Sequence, residues 1–302
     1  TLDGNIALGA TTTINAASNL TLNGTLQAKD AGTAMALTFD GAGDVVVDGA
    51  QLIEADTTIN NTGGSLTFNG AIDAAAGASS SVLTLDNDGG LTLNGTVGGT
   101  TALSALDIKH TATIDADVTT AGNQSYGGAV TINPATASFL ATAGNITFSD
   151  AINAGPADSA GSVVNITAQD GDIQLDGNVT AQTLNVTASG DLTMAGDADA
   201  DAMTADIGGS SSTVSGELTL ANGLIKAGSG ALVLTGNNAG TTATTAVQAG
   251  SLQLGDGGTT GFIDSSQIEL FEGAALLINR SDALTLAADV VAVDADENGD
   301  LV

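Results

Sequence analysis

A short phrase of alternating character recurs from one end of the chain to the other. Two β-favouring apolar residues flank one that is usually polar, then comes Asn or Asp in most copies, then Gly. It reads Leu20-Thr21-Leu22-Asn23-Gly24, Val45-Val46-Val47-Asp48-Gly49, Leu66-Thr67-Phe68-Asn69-Gly70 and Leu91-Thr92-Leu93-Asn94-Gly95, with later copies at Ile173-Gln174-Leu175-Asp176-Gly177 and Leu192-Thr193-Met194-Ala195-Gly196. Each copy predicts a short strand closed by a turn. The first four are spaced by about 25, 21 and 25 residues and later ones by about 19 or 20, periods that signal a solenoid.

The same alternation fills the intervals, as in Val82-Leu83-Thr84-Leu85, Ala112 to Val118, Ala129-Val130-Thr131-Ile132, Val164-Asn165-Ile166-Thr167 and Leu184-Asn185-Val186-Thr187. Successive residues of a strand face opposite sides, so Val, Leu and Ile turn inward while Thr, Asn, Gln and Asp stay wet. Helical periodicity is nowhere sustained. The expected fold is all-β: a right-handed parallel β-helix, or β-solenoid, of about a dozen coils. With strands of successive coils about 4.8 Å apart, it would form a rod about 60 Å long. An antiparallel sandwich is the competing all-β arrangement, but sandwiches seldom repeat one phrase so often. The expected division is solenoid repeats over 1–225, a distinct strand repeat continuing the solenoid over 226–290, and an acidic terminal segment over 291–302.

The segment 226–290 is set apart by Gly228-Ser229-Gly230-Ala231-Leu232-Val233-Leu234-Thr235-Gly236-Asn237-Asn238, followed by Thr244-Thr245-Ala246-Val247 and Gly250-Ser251-Leu252-Gln253-Leu254-Gly255. This resembles the passenger-associated β-strand repeat of bacterial autotransporters, in spacing and residue type, over about thirty positions. Upstream, Gly99-Thr100-Thr101-Ala102-Leu103 and Thr120 to Val130 resemble the β-strand repeats of very large bacterial surface proteins, the filamentous-haemagglutinin-like ones included. The resemblance implies a secreted or surface-exposed β-solenoid. It points to no ligand, and the sequence contains no translocator barrel.

Composition narrows the picture. The chain has 302 residues, of which 42% are hydrophobic and only 2% aromatic, so Leu, Ile, Val and Ala are expected to fill a thin interior. Its mean hydropathy of +0.25 is too high for a disordered acidic tail. The 34 acidic residues stand against Lys29, Lys109, Lys226 and Arg280, for a formal net charge of −30. Nucleic acid is excluded as a partner, since its binding rests on Lys and Arg. Anionic membranes and acidic polysaccharides are disfavoured for the same reason, while divalent cations are attracted. There is no Cys, hence neither disulfide nor thiolate metal site. No apolar run reaches the ~18 residues of a membrane-spanning helix, so no membrane insertion is expected of this segment. Because the chain opens on Thr1, already in repeat-like sequence, it is expected to be a piece of a longer or processed polypeptide.

Candidate chemistry is sparse. Asp294, Asp296, Asn298 and Gly299-Asp300 reproduce the first part of a calcium loop, with oxygen ligands at positions 1, 3 and 5 and Gly at 6, although the chain stops before the closing Glu of position 12. An acidic turn or linker is the plainer account. Asp197, Asp199 and Asp201 alternate with alanines and on a strand would share one face, a weaker calcium candidate; a solvated Asp-rich loop is the favoured account of these three. His110, the only histidine, stands beside Lys109 and is expected to be an exposed or turn residue. Asn-x-Thr triplets such as Asn23-Gly24-Thr25 follow from composition, and Thr-x-Thr pairs do not recur in the register an ice-binding face needs.

The expected role is structural: an extracellular or bacterial cell-surface β-solenoid, serving as the shaft of an adhesin or as a subunit of an extracellular filament or biofilm matrix. Calcium is the one expected cofactor. Copies of the chain joined end to end, or other surface and matrix components, are the expected partners. The alternative is a carbohydrate-binding or carbohydrate-active β-helix. Catalysis is not expected, because basic residues are few and scattered and no carboxylate pair stands with aromatic platforms for sugar rings.

Overall fold

The computed structural model describes residues 1–28, 33–78, 80–155 and 162–293. Every regular element among them is a strand, and the ladders that join the strands are parallel. The architecture is an all-β parallel solenoid, and parallel pairing rules out the sandwich, whose strands pair antiparallel. No helix is long and apolar enough to cross a membrane. The chain divides into two compact units, Thr1–Asp150 and Ala151–Val302.

In the first unit each coil lays down up to three short strands. One sheet runs through Thr11–Asn15, Met35–Asp40, Thr57–Asn61, Val82–Asn87, Ala105–Ile108, Gln124–Tyr126 and Ile146–Phe148. A second is built from the repeated phrases themselves, Leu20–Leu22, Val45–Val47, Leu66–Phe68 and Leu91–Leu93, then Ala112–Ile114 and Val130–Ile132. The third face is more broken: Gln51–Ile53 pairs with Ile72–Ala74, single bridges join Ile72, Val97 and Val118, and Val118–Thr120 pairs with Thr136–Ala141. Phrase residues alternate as the sequence predicts, with Leu91 and Leu93 buried and Thr92 between them half-exposed. Burying each such side chain contributes about 1.5–3 kcal/mol.

In the second unit one sheet carries Ile173–Leu175, Leu192–Met194, Ser212–Val214, Ala231–Leu234, Ser251–Leu254 and Ala275–Ile278. The other two faces merge: Val179–Ala188, Ala198–Ile207 and Leu218–Ala227 are single strands of 10 residues. Each turns a corner without leaving the ladder. Along Ala198–Ile207 the residues at 198, 200, 203, 205 and 207 are buried, so the inward phase slips by one at Asp201 and Ala202 and both halves point into the core. Opposite this slip the next coil takes in one extra residue, since Ala200 pairs with Leu220 but Ala202 with Gly223. Gly223 has φ +97, a conformation L side chains rarely adopt. The expected boundary at 225/226 falls inside the strand Leu218–Ala227.

The glycines of the repeated phrase have a different purpose from the one the turn signal suggests. They do not adopt positive φ; they stand in columns where backbone passes over backbone. A Cβ on Gly49, Gly70 or Gly95 would come within 2.6, 2.6 or 2.3 Å of the glycine one coil before it. The second unit repeats the device, with Gly196, Gly216 and Gly236 meeting carbonyl oxygens of Gly177, Gly196 and Gly216 at 2.1, 2.0 and 2.1 Å. Glycine here is what lets coils stack closely at a corner.

The core is mostly the aliphatic interior expected, and it also takes in aromatic rings. Tyr126, Phe39, Phe68, Phe139 and Phe148 are all fully buried. Tyr126 stacks on Phe148 with ring centroids 4.3 Å apart, and Phe139 meets both edge-on at 5.5 and 5.2 Å. Aromatics are few, but five of the seven Phe and Tyr side chains are inside.

Candidate functional site

The polar residues at the corners of the coils form ladders. In the first unit an Asn that closes a phrase or its equivalent reaches the matching residue of the preceding coil: Asn23 Nδ2 donates to Asp3 at 2.5 Å, Asn69 to Asp48 at 2.6 Å, Asn94 to Asn69 at 2.6 Å and Asn133 to Asp115 at 2.8 Å. Other carboxylates and amides accept backbone N–H groups of the following coil. Asp44 takes those of Ser65 N–H at 2.9 Å and Ser65 Oγ at 2.8 Å, and these two bonds hold its carboxyl below the usual carboxylate range. Asp172 and Asp191 continue the pattern, accepting the N–H groups of Asp191 and Ser211 at 2.8 Å each. An alternating Asx column thus satisfies backbone donors that the bends leave without a strand partner.

Asp197 belongs to such a column. Its N–H donates to Asn178 Oδ1 at 3.0 Å and its own Oδ1 accepts the Glu217 N–H at 2.8 Å. Asp199 and Asp201 correct the loop expectation, because both lie within the strand Ala198–Ile207, where merging of two faces carries the ladder through the corner. Asp197 and Asp199 are exposed and Asp201 half-exposed, with Ala198 and Ala200 buried between them, so the alternation keeps all three residues on the outward side and the phase slips only after Asp201. Among the described residues, these three do not bring ligand atoms within 4.8 Å of one another. Asp294, Asp296, Asn298 and Asp300 lie outside the described residues, as does Lys29.

Some polar residues face inward, where alternation alone predicts apolar ones. Asn61 Nδ2 donates to Asn87 Oδ1 at 2.7 Å, and each of these amides also bonds the carbonyl of its own turn, at Gly64 and Gly90. Asn61 Oδ1 has no partner, because the residue stacked against it one coil earlier is Phe39. Tyr126 Oη donates to Gln124 Oε1 at 2.9 Å, and Gln124 Nε2 donates to the Leu140 carbonyl at 2.8 Å. Lys226 takes an inward position on Leu218–Ala227; its ammonium donates to the carbonyls of Ala227, Gly228 and Ala249 at 2.5, 2.9 and 3.3 Å. Burial lowers its pKa, with the Asp206 carboxylate opposing the shift.

Sequence reasoning missed one constellation. Among the described residues, Asp86, Asp88 and His110 are the group whose ligand-type atoms converge, all within 4.8 Å of one another. His110 Nε2 stands 2.9 Å from Asp86 Oδ1 and 3.1 Å from Asp88 Oδ1. The side chains are 44%, 42% and 71% exposed, so the cluster is open to solvent. One coil separates the histidine from the two aspartates, and adding the coil period to Asp86 would have found it. His110 does lie at an exposed bend, as expected.

Comparison with known proteins adds no identity: no protein-family model matches the chain, and neither a curated protein nor a solved structure shows significant similarity to it.

Proposed function

We propose that this chain is a structural β-solenoid of a bacterial cell surface or extracellular matrix, working as the shaft of an adhesin or as a subunit of a filament. One observation carries the reading: the polar chemistry of the chain is committed to stacking one coil on the next. Glycine columns admit close backbone approach, and the Asx columns of both units hold neighbouring coils together through side-chain and backbone bonds. A stack of this kind resists load as a sum of neighbouring interfaces. The acidic exterior keeps it soluble and draws divalent cations, calcium foremost.

Carbohydrate recognition is the lesser reading, since five of the seven Phe and Tyr side chains are fully buried and so withdrawn from any sugar ring. Among the described residues, Thr11–Asn15 pairs on one side only, and such an edge accepts a further coil from the same chain or from another copy. Molar mass by light scattering, in millimolar calcium and then in chelator, tests the filament form. Growth into polymers with calcium is the expected result for a metal-bridged filament. A monomer in both conditions leaves the shaft, and specific binding or cleavage in a polysaccharide screen would sink the structural reading.

A further inference from the structure

We propose that Asp86, Asp88 and His110 form a surface site for a borderline divalent transition metal, of which Zn2+ is the type. Around a metal with bonds of about 2.0–2.1 Å, two ligand atoms at roughly 90–110° to one another stand about 2.8–3.4 Å apart. The separations of His110 Nε2 from the two carboxylate oxygens, 2.9 and 3.1 Å, both fall in that range. A proton on Nε2 meets the same geometry poorly, because one N–H cannot point straight at two acceptors. A cation at the point of convergence bonds all three atoms and neutralises both carboxylates.

The turn is built to hold this arrangement. Asp86 and Asp88 flank Asn87, whose buried amide is fixed by Asn61 and by the Gly90 carbonyl, so the two carboxylates leave the strand end from either side of an anchored residue. The coil that brings His110 is tied to the same strand by Lys109 N–H donating to the Leu85 carbonyl at 3.0 Å. The nearby ammonium of Lys109 is engaged by Asp107 at 2.5 Å, which leaves the imidazole as the group facing both aspartates. One nitrogen and two oxygens suit zinc and its neighbours, whereas calcium takes oxygen ligands. The exposure of all three side chains leaves the remaining coordination positions to water or to a donor from another molecule.

His110 is the only histidine, so its ring resonances report the site without ambiguity. Zn2+ titrated into the whole chain at about 0.1 M salt, which screens the general acidic field, is expected to shift those resonances saturably at one ion per chain. Mg2+ at the same concentration should leave them in place. H110A, and separately the D86N/D88N pair, should each weaken the tightest Zn2+ binding at least tenfold, with circular dichroism confirming the fold. Ring resonances that ignore Zn2+, or respond to Mg2+ equally, would overturn the proposal. So would affinity unchanged in H110A; if the double variant does not fold, H110A and the wild-type titration decide.

Discussion

The two units solve one stacking problem in different ways. In Thr1–Asp150 the coil length wanders: Leu83 pairs with Leu106, a step of 23, and Leu106 with Gln124, a step of 18. In the second unit Ile173 pairs with Leu192, Ser212 with Leu232 and Ala231 with Ser251, steps of 19, 20 and 20, and the coil lengthens at the end, where Ser251 pairs with Ala275, a step of 24. Uniform coils allow two faces to fuse into 10-residue strands that keep their hydrogen bonds around the corner. Uneven coils break there, and their corners must be closed by turns and Asx caps. All five fully buried aromatics lie in the uneven unit, where large rings fill what variable coils leave between the sheets. Regularity of length and bulk of core residues trade against each other.

The largest blow to that contrast is expected from F139A. Phe139 meets two rings edge-on and is buried, so its loss should cost about 3–5 kcal/mol, the range for Phe-to-Ala in a core. In a quasi-one-dimensional stack the damage stays near its origin. Hydrogen exchange should therefore quicken across Val118–Ala141 well before it does in Ala198–Ile207. Equal loss of protection in both would break the comparison, because it would mean that one cooperative core serves all coils.

Next in size is Lys226, the second unit's counterpart to a buried ring. K226A removes packing and strands three carbonyls, and should cost about 2–4 kcal/mol; K226M keeps the stem and should cost less. The sign of the pH effect separates packing from charge. Burial lowers the folded pKa of Lys226, so between that value and the unfolded one the unfolded chain holds more protons and stability rises with pH. Buried Tyr126, whose pKa is pushed up, acts in the opposite sense in the same alkaline region, so the informative quantity is the wild-type curve minus that of K226M. A flat difference from pH 8 upward would show that the ammonium is no worse off inside than out.

Smaller again is G216A. A Cβ there meets the Gly196 carbonyl oxygen at 2.0 Å, and the backbone must shift, at a cost of about 1–3 kcal/mol as in other overpacked sites. Urea denaturation reads it, and G70A in the uneven unit, where the contact is 2.6 Å, should cost less. A reversed order would mean that the uneven coils are the stiffer ones.

The fold was legible because one physical signal, alternation punctuated by Asx-Gly, is repeated until chance cannot account for it. Leu91, Leu93, Val45 and Val47 lie where the pattern puts them. What the pattern hides is the third dimension between coils. Asp199 and Asp201 read as loop residues because Asp and Gly196 favour turns, yet the ladder carries them through a corner that local propensity does not register. Gly49 and Gly70 read as turn formers, although their neighbours are one coil away. His110 looked like a lone histidine because its partners lie 22 and 24 positions back, a separation that gains meaning only once the coil period is applied as a ruler.

The smallest expected effect concerns the Asx caps that close the uneven corners. Asp44 accepts both the Oγ hydrogen and the N–H of Ser65, and those two bonds depress its pKa, with slight desolvation opposing them. A carboxylate with a depressed folded pKa contributes stability that is present above its unfolded pKa and lost as pH falls through the folded one. S65A removes the larger of the two causes and leaves the backbone bond. The Asp44 carboxyl should then titrate closer to the ordinary range by NMR, still displaced below it by the remaining N–H. Stability near neutral pH should fall only slightly, as expected for a group fully open to water. If the Asp44 titration does not move in S65A, the serine hydroxyl is not its partner, and the backbone N–H alone closes that corner.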